Sequence, residues 1–305
     1  MNLARIVSDE IFHPLGDFVV AGIDLSSFPN VSMEVVGDGN KVFYLASISK
    51  MITSLGILVA YEEGLFDLDT QLSPMDTPLI ACDLLSHSSG LPFDVDGYVS
   101  KSHLRGLRRG DLLFDRSLVS APRTKRIYSN LGFELMCTLI EDESDMPLIQ
   151  YLREAIFIPL GASGVSLSEA RFEGSGPTGG AARLRGSVDD LVKLVVELFH
   201  PSLIQEETLK VARTPLYPEL QGLLPGFGRF ERNTFGLGFE VHGTKSPHWM
   251  SDATSWETFG HFGASGVFAW LDPISARGLI FLGERDFSAD HRRLWPILSE
   301  RFALA

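Results

Sequence analysis

Three short stretches place reactive side chains at spacings that chemistry can use. In "LASISKMITSL" (45–55), Ser47 and Lys50 are three positions apart at the start of a segment with helical periodicity. One helical turn puts both on one face, and a buried lysine gives up its proton readily enough to take one from a hydroxyl. The helix N-terminus would add positive potential near a developing oxyanion. Serine is about a tenth of the chain and there are seven lysines, so an S-x-x-K formed by two ordinary residues on a helix face is equally expected.

The second stretch is "IYSNLGFEL" (127–135), where Tyr128 and Asn130 sit just before a helical segment in the only Y-x-N among six tyrosines. A phenol can shuttle a proton, and a carboxamide can both donate to and accept from a substrate amide. The same letters spell an asparagine N-cap beside a packed tyrosine. The third is "FGHFGASGVFAWLD" (259–272), with His261-x-Gly263 at the head of a strand and small residues after it, which lets a substrate approach the backbone. An edge-strand entry with glycine for a tight turn has the same pattern. The other histidines, including His87 in "LLSHSSGL", read as structural.

Several chemistries have no support. No serine lies in G-x-S-x-G, and there is no H-E-x-x-H or C-x-x-C. "GFGRF" and "GLGFE" lack the third glycine of a dinucleotide loop, and "GDGNK" reads as a turn. No two histidines stand four apart, so neither a metal nor a cofactor is indicated.

The elements that must position these residues follow from periodicity. Short strands are expected over 17–26, 31–38 and 41–47, split by "FPN" and "GDGN" turns, as an antiparallel meander. A helix then runs to about Glu63, with Ile48, Met51, Ile52, Leu55 and Leu58 at helical spacing and Gly64 as its stop. "PLIACDLLSHSSGLP" reads as a helix ending in a loop, followed by a polar, Arg-rich stretch (99–126) with weak periodicity. Helices are expected at 130–142 and 147–157, then a Gly-rich loop at 174–180 and a helix capped by Ser187 with Asp190 at its third position. Strands return at 235–242, 265–272 and 277–284, before an amphipathic helix over 289–302. Strands at both ends and helices between them predict an α/β (α+β) fold: one antiparallel sheet closed by the two termini, with an inserted helical lobe. The whole reads as one domain, with residues 1–70 plus 180–305 as the α/β lobe and 71–179 as the helical lobe. No internal repeat is visible.

The 305 residues, 45% of them apolar, suit a large buried core. A net charge of −13 without a basic stripe argues against a nucleic-acid partner. The N-terminal stretch "MNLARIVSDEIFHPLGDF" lacks a leader's apolar run, and no stretch reaches the ~18 apolar residues of a membrane span. The expected compartment is the cytoplasm, with Cys82 and Cys137 as reduced thiols.

In their order along the chain, S-x-x-K, Y-x-N and H-x-G resemble the penicillin-recognising serine hydrolases. The resemblance is strongest to the branch holding class C β-lactamases, D-alanyl-D-alanine carboxypeptidases, D-aminopeptidases and related esterases. "EEGLFDLDTQLS", "CDLLSHSSGLP", "YSNLGFELMCTLIE", "PLIQYLREAIFIPLGA" and "FGLGFEV" are similar to recurring segments of that family, so the likeness runs over about residues 15–300. It implies an antiparallel sheet flanked by helices plus an all-helical lobe, with the site between them.

Carried over, the resemblance makes Ser47 the acylated nucleophile, Lys50 its activating neighbour and Tyr128 the partner acid/base. Asn130 would bind the acyl-side amide. His261, Phe262 and Gly263 would stand at the substrate-facing K-T-G position, and the N–H groups of Ser47 and Ala264 would form the oxyanion hole. The family's lysine is His261 here and its hydroxyl residue is Phe262, two changes that remove help for a substrate carboxylate. The expectation is a cofactor-free serine hydrolase of small esters, amides or peptides with weak or no β-lactam turnover. A true β-lactamase or carboxypeptidase, an acyltransferase and a non-catalytic ligand-binding member are the alternatives.

Overall fold

The computed structural model describes residues 2–72, 79–93, 118–169, 171 and 178–305. Most of the Arg-rich stretch and residues 174–177 of the Gly-rich loop lie outside them. Twelve strands are named here in chain order. They are β1 (Phe18–Asp24), β2 (Ser32–Val36), β3 (Phe43–Tyr44), β4 (Arg126–Ile127), β5 (Ser166–Leu167) and β6 (Leu184–Gly186). Then come β7 (Gly222–Leu224), β8 (Gly228–Phe230), β9 (Glu240–Val241), β10 (Phe259–Gly263), β11 (Val267–Asp272) and β12 (Arg277–Gly283).

The main sheet has six strands in the order β2-β1-β12-β11-β10-β9, all pairs antiparallel. The chain's two ends meet where β1 pairs with β12, with Val20 opposite Phe281. The apolar runs in β1, β11 and β12 have no polar alternation because both faces of the sheet are covered. Val19, Ala21, Ile23, Val267, Ala269, Leu271, Ile280 and Leu282 point into one core with the helices Ser49–Glu62 and Val188–Glu197. Val20, Phe268, Trp270, Leu279 and Phe281 point the other way, onto Leu3, Phe12, Leu15 and the Trp295, Leu298 and Phe302 face of the helix Ala289–Ala303. The fold is therefore mixed α/β with an antiparallel sheet built from both ends of the chain, as the strand–helix–strand pattern predicts.

Three elements differ from expectation. The 41–47 segment does not extend the meander: only Phe43–Tyr44 is a strand, and it pairs with β6, leaving the main sheet after β2. The 235–242 strand shrinks to β9, because Gly238 has φ +86° and sends its N–H to the Leu85 carbonyl. The 147–157 helix is α-helical over Leu148–Leu152 and π-helical over Arg153–Phe157. The helix Ser49–Glu62 ends before Gly64 (φ +78°), and Ser187 caps its helix with Asp190 in a reciprocal capping box. Among the described residues no helix is long and apolar enough to cross a membrane.

Candidate active site

Ser47 lies in a 3₁₀ turn, Ala46–Ile48, that runs directly into the helix Ser49–Glu62, rather than in the first α-helical turn. Ala46 before it has φ 43°, the left-handed region in which an alanine costs about 1–2 kcal/mol. The end of β10 enforces this shape. A Cβ on Gly263 would fall 2.8 Å from the Leu45 carbonyl oxygen and 2.9 Å from the Ala46 Cβ, so only glycine lets the strand lie against the turn. That contact brings Ala264, an exposed residue in the turn after β10, to the neighbourhood of half-buried Ser47. His261 and Gly263 thus stand in the last part of their own strand, not at the head of the next one.

Lys50 is 0% exposed, and its Nζ has three oxygen neighbours. It donates to Asn130 Oδ1 at 2.6 Å and to the Ala181 carbonyl at 2.8 Å, and it lies 3.5 Å from Ser47 Oγ. The amine also sits 4.9 Å from the centre of the Tyr128 ring and 5.4 Å from that of Phe133. Burial pulls its pKa down to about 7, although the Glu134 carboxylate pushes it back up. Asn130 is available for this bond because it is not the helix cap. Ser129 is, its Oγ accepting from the Gly132 N–H at 3.1 Å.

Tyr128 leaves β4 facing the same space. Its hydroxyl is 3.3 Å from His261 Nε2, and burial raises its pKa well above the usual phenol, offset in part by a hydrogen bond with Ser47. His87, read as structural, packs its ring 4.4 Å from that of Tyr128 and accepts from the Ser129 N–H at 3.1 Å. His261 is buried, and burial together with Lys50 lowers its pKa to about 4.

The structure thus brings Ser47, Lys50, Tyr128, Asn130 and His261 together, with Gly263 packed on the turn that carries Ser47 and the exposed Ala264 next in the chain. It turns the Phe262 ring away from that space, leaving it 6.2 Å from the ring of its neighbour His261. Residues alternate across a strand, so Phe262 points to the face opposite His261. Its ring packs 5.4 Å from Phe287, 5.7 Å from Trp249 and 6.0 Å from Trp295 in the second core. The expectation that Phe262 stands beside His261 as a bulky substrate-facing group is corrected by that alternation.

The sequence reading missed two supports. Arg126, two residues before Tyr128, is buried and donates to four carbonyls, of Ser86, Leu216, Tyr217 and Asn233, which ties β4 to the 216–233 region. Glu134, one turn past Asn130, is buried and accepts from the N–H and hydroxyl of Thr178 and from the Ala181 N–H. An arginine in a polar run carries no sign of burial. A lone Glu in an apolar helix face, "LGFELMCTLI", was the available signal. Beside Tyr128 opens a cavity of about 580 Å³, with Phe93, Ile127, Leu223 and Pro225 as its apolar wall and Lys125 and Arg229 among its lining.

A model of the beta-lactamase family matches residues 35–301. A beta-lactamase of known structure from Mycobacterium bovis is 32% identical, with 98% of this chain and 97% of that one covered, and superposes with a TM-score of 0.83. EstCE1, a hydrolase with promiscuous acyltransferase activity, shares the fold at 18% identity and a TM-score of 0.73, over 100% of this chain and 99% of its own. Penicillin-binding protein 4* of Bacillus subtilis (strain 168) is 31% identical over 134 residues, 40% of this chain. That match spans 30% of the protein's length, and a longer one, 23% identical over 287 residues, spans 63% of the length of a curated relative from Escherichia coli O157:H7. With a family match over most of its length and a near-complete superposition on a 32% identical relative, the chain belongs to the beta-lactamase family.

Proposed function

We propose that this protein is a serine hydrolase that forms an acyl-enzyme on Ser47 and turns over small neutral esters or amides in preference to β-lactams. The observation that carries the reading is the environment of Lys50. In its neutral form the amine has two N–H donors and one lone pair. Asn130 Oδ1 and the Ala181 carbonyl take the two donors, which leaves the lone pair for the Ser47 hydroxyl at 3.5 Å. A pKa near 7 lets a large fraction of the amine be neutral at neutral pH.

The reaction then balances in two halves. Ser47 Oγ attacks the acyl carbonyl and its proton passes to Lys50. The carbonyl oxygen takes the negative charge beside the N–H groups of Ser47 and Ala264. The bond to the leaving group breaks; Tyr128, which burial keeps protonated, gives that group its proton and regains one from the serine proton held on Lys50. Water then attacks the Ser47 ester and loses a proton to Lys50, the acid leaves, and that proton returns to Ser47 Oγ.

Two features favour neutral substrates. His261 stands where the family's lysine would meet a carboxylate, and its lowered pKa leaves it uncharged near pH 7. The wall of Phe93, Ile127, Leu223 and Pro225 beside Tyr128 suits an apolar acyl or leaving group. The similarity to a beta-lactamase of Mycobacterium bovis supports the second reading, a working β-lactamase. The similarity to EstCE1 leaves an alcohol as an alternative acceptor to water, through the same acyl-enzyme.

Intact-protein mass spectrometry with a fluorophosphonate, and separately with a penicillin, tests the proposal. A single adduct that maps to Ser47 and vanishes in Ser47→Ala is expected. Labelling at another serine, or none, would remove the mechanism. An ester and nitrocefin panel then ranks the substrates.

A further inference from the structure

Glu134 is a charged residue that the proposed chemistry does not use, yet it lies within the framework that holds Lys50. It follows Asn130 by four positions on the helix Asn130–Ser144, so both side chains leave the same face. It is 1% exposed. One carboxylate oxygen accepts from the Thr178 N–H at 2.8 Å and the Thr178 hydroxyl at 2.6 Å, and the other accepts from the Ala181 N–H at 3.2 Å.

The peptide groups of Ala181 therefore face two ways. The N–H goes to Glu134, and the carbonyl goes to Lys50 Nζ at 2.8 Å. The turn between them is pinned from both sides. Thr53 donates to the Gly180 carbonyl at 2.8 Å, and a Cβ on Gly180 would fall 2.4 Å from Cys137 Sγ and 2.6 Å from a methyl of Leu148. A segment pressed this tightly moves only if its anchors move.

Charge points the same way. The groups that face Lys50 are Ser47 from its own turn, Asn130, Glu134 and Cys137 from the helix Asn130–Ser144, Tyr128 from the end of β4, His87 from the loop after Ala81–Leu85, and His261 from β10. Burial lowers both histidines and raises Cys137, so near neutral pH those three are uncharged. Glu134 is the carboxylate that acts on the amine, and the amine in turn favours its ionised form against the burial that raises it.

We propose that Glu134 is the positioning residue of Lys50: through Ala181 it fixes the carbonyl that holds the amine, and through its charge it sets the pH at which the amine can accept the serine proton. This rests on Lys50 acting as the base in the mechanism above. No bond to substrate is made or broken by Glu134.

The test measures the rate at which a fluorophosphonate phosphonylates Ser47, with loss of fluoride, in the full chain between about pH 5.5 and 9.5, by intact mass, for wild type, Glu134→Gln and Glu134→Asp. The wild-type rate should rise with a midpoint near 7. Glu134→Gln keeps the volume but loses the charge, and it turns an NH₂ toward donors. Its midpoint should move to lower pH by roughly half a unit or more, and its plateau should fall by at least about tenfold. Glu134→Asp should restore the midpoint while leaving the plateau low, because the charge returns but the reach does not.

A Glu134→Gln midpoint that is unmoved or higher, with only a lowered melting temperature, would mean a purely structural role and overturn the proposal. If Glu134→Gln does not fold, Glu134→Asp decides: a wild-type plateau overturns the proposal, and a plateau lowered about tenfold at an unmoved midpoint supports it. A wild type that takes no label at Ser47 removes this inference together with the proposed function. A labelled wild type with an unmoved Gln midpoint removes this inference alone.

Discussion

The Tyr128 hydroxyl lies 3.3 Å from Nε2 of His261, while Nδ1 of His261 lies 2.7 Å from the Phe262 carbonyl. A carbonyl only accepts, so Nδ1 carries the proton and Nε2 is the acceptor for the phenol. His261 is therefore a neutral acceptor that orients the Tyr128 hydroxyl. A lysine at this position would be a donor, and a cation once a substrate carboxylate faces it.

Replacing that histidine should change both substrate choice and pH response. At about 4 Å a unit charge facing a carboxylate contributes roughly 1–4 kcal/mol, depending on screening. His261→Lys should raise kcat/KM for nitrocefin relative to p-nitrophenyl butyrate by about fivefold or more, an effect that added salt should weaken. The new cation would also oppose protonation of Lys50, so the acid limb should move to lower pH. A wild type that turns over nitrocefin faster than the butyrate ester would contradict the assigned preference.

The acid limb itself belongs to Lys50. The reaction needs the neutral amine and the folded-state pKa is about 7, so activity should fall about tenfold per pH unit below that value and level off above it. Lys50→Met and Tyr128→Phe should each lower kcat by about 10²–10⁴ with unchanged circular dichroism. The double variant should lose much less than the product, since residues that act as a unit are not additive. Near-wild-type turnover in Tyr128→Phe would take the phenol out of the mechanism.

Arg126 should matter for stability. Its guanidinium donates to four carbonyls, and burial pulls its pKa down to about 10, with Glu219 and Tyr217 pushing the other way. Arg126→Met leaves those carbonyls without their donor and should cost roughly 3 kcal/mol or more in urea unfolding, while exposed Lys125→Met stays within about 0.5 kcal/mol. Equal effects of the two would mean that the carbonyl cluster finds water instead.

The thiols give a simple check. Cys82 and Cys137 are both free; burial raises Cys82 to about 11, and Cys137 is fully buried. Thiol reagent at pH 8 should react slowly with native protein and with two groups after denaturation. Two fast thiols in the native state would contradict this packing.

The site was legible in part. Ser47 with Lys50, and Tyr128 with Asn130, are encoded by local spacing, and the structure places them in one space. The long apolar runs of β1, β11 and β12 and the helices around Leu55, Leu139 and Leu194 were equally plain, because periodicity is a local property. What failed was non-local. A two-residue strand such as β3 has no period, and its choice of β6 over β2 is made by residues about 140 positions away. The opposite faces of His261 and Phe262 follow from strand alternation, but what covers the Phe262 face (Trp249, Phe287 and Trp295) comes from other segments of the chain. The burial of Arg126 and Glu134 depends on carbonyls and amides from distant loops, which no window around either residue contains.

The pairing of β1 with β12 has a consequence in time. Residues 18–24 wait for residues 277–283 before the centre of the sheet can form, and β10 joins that centre through β11, which itself pairs with β12. Contacts so far apart in sequence make folding slow. A growing chain that has exposed Ser47 and Lys50 still lacks His261, Gly263 and the strand that bends Ala46 into place. The nucleophile should thus stay dormant through synthesis, and its reactivity should appear in a single late step.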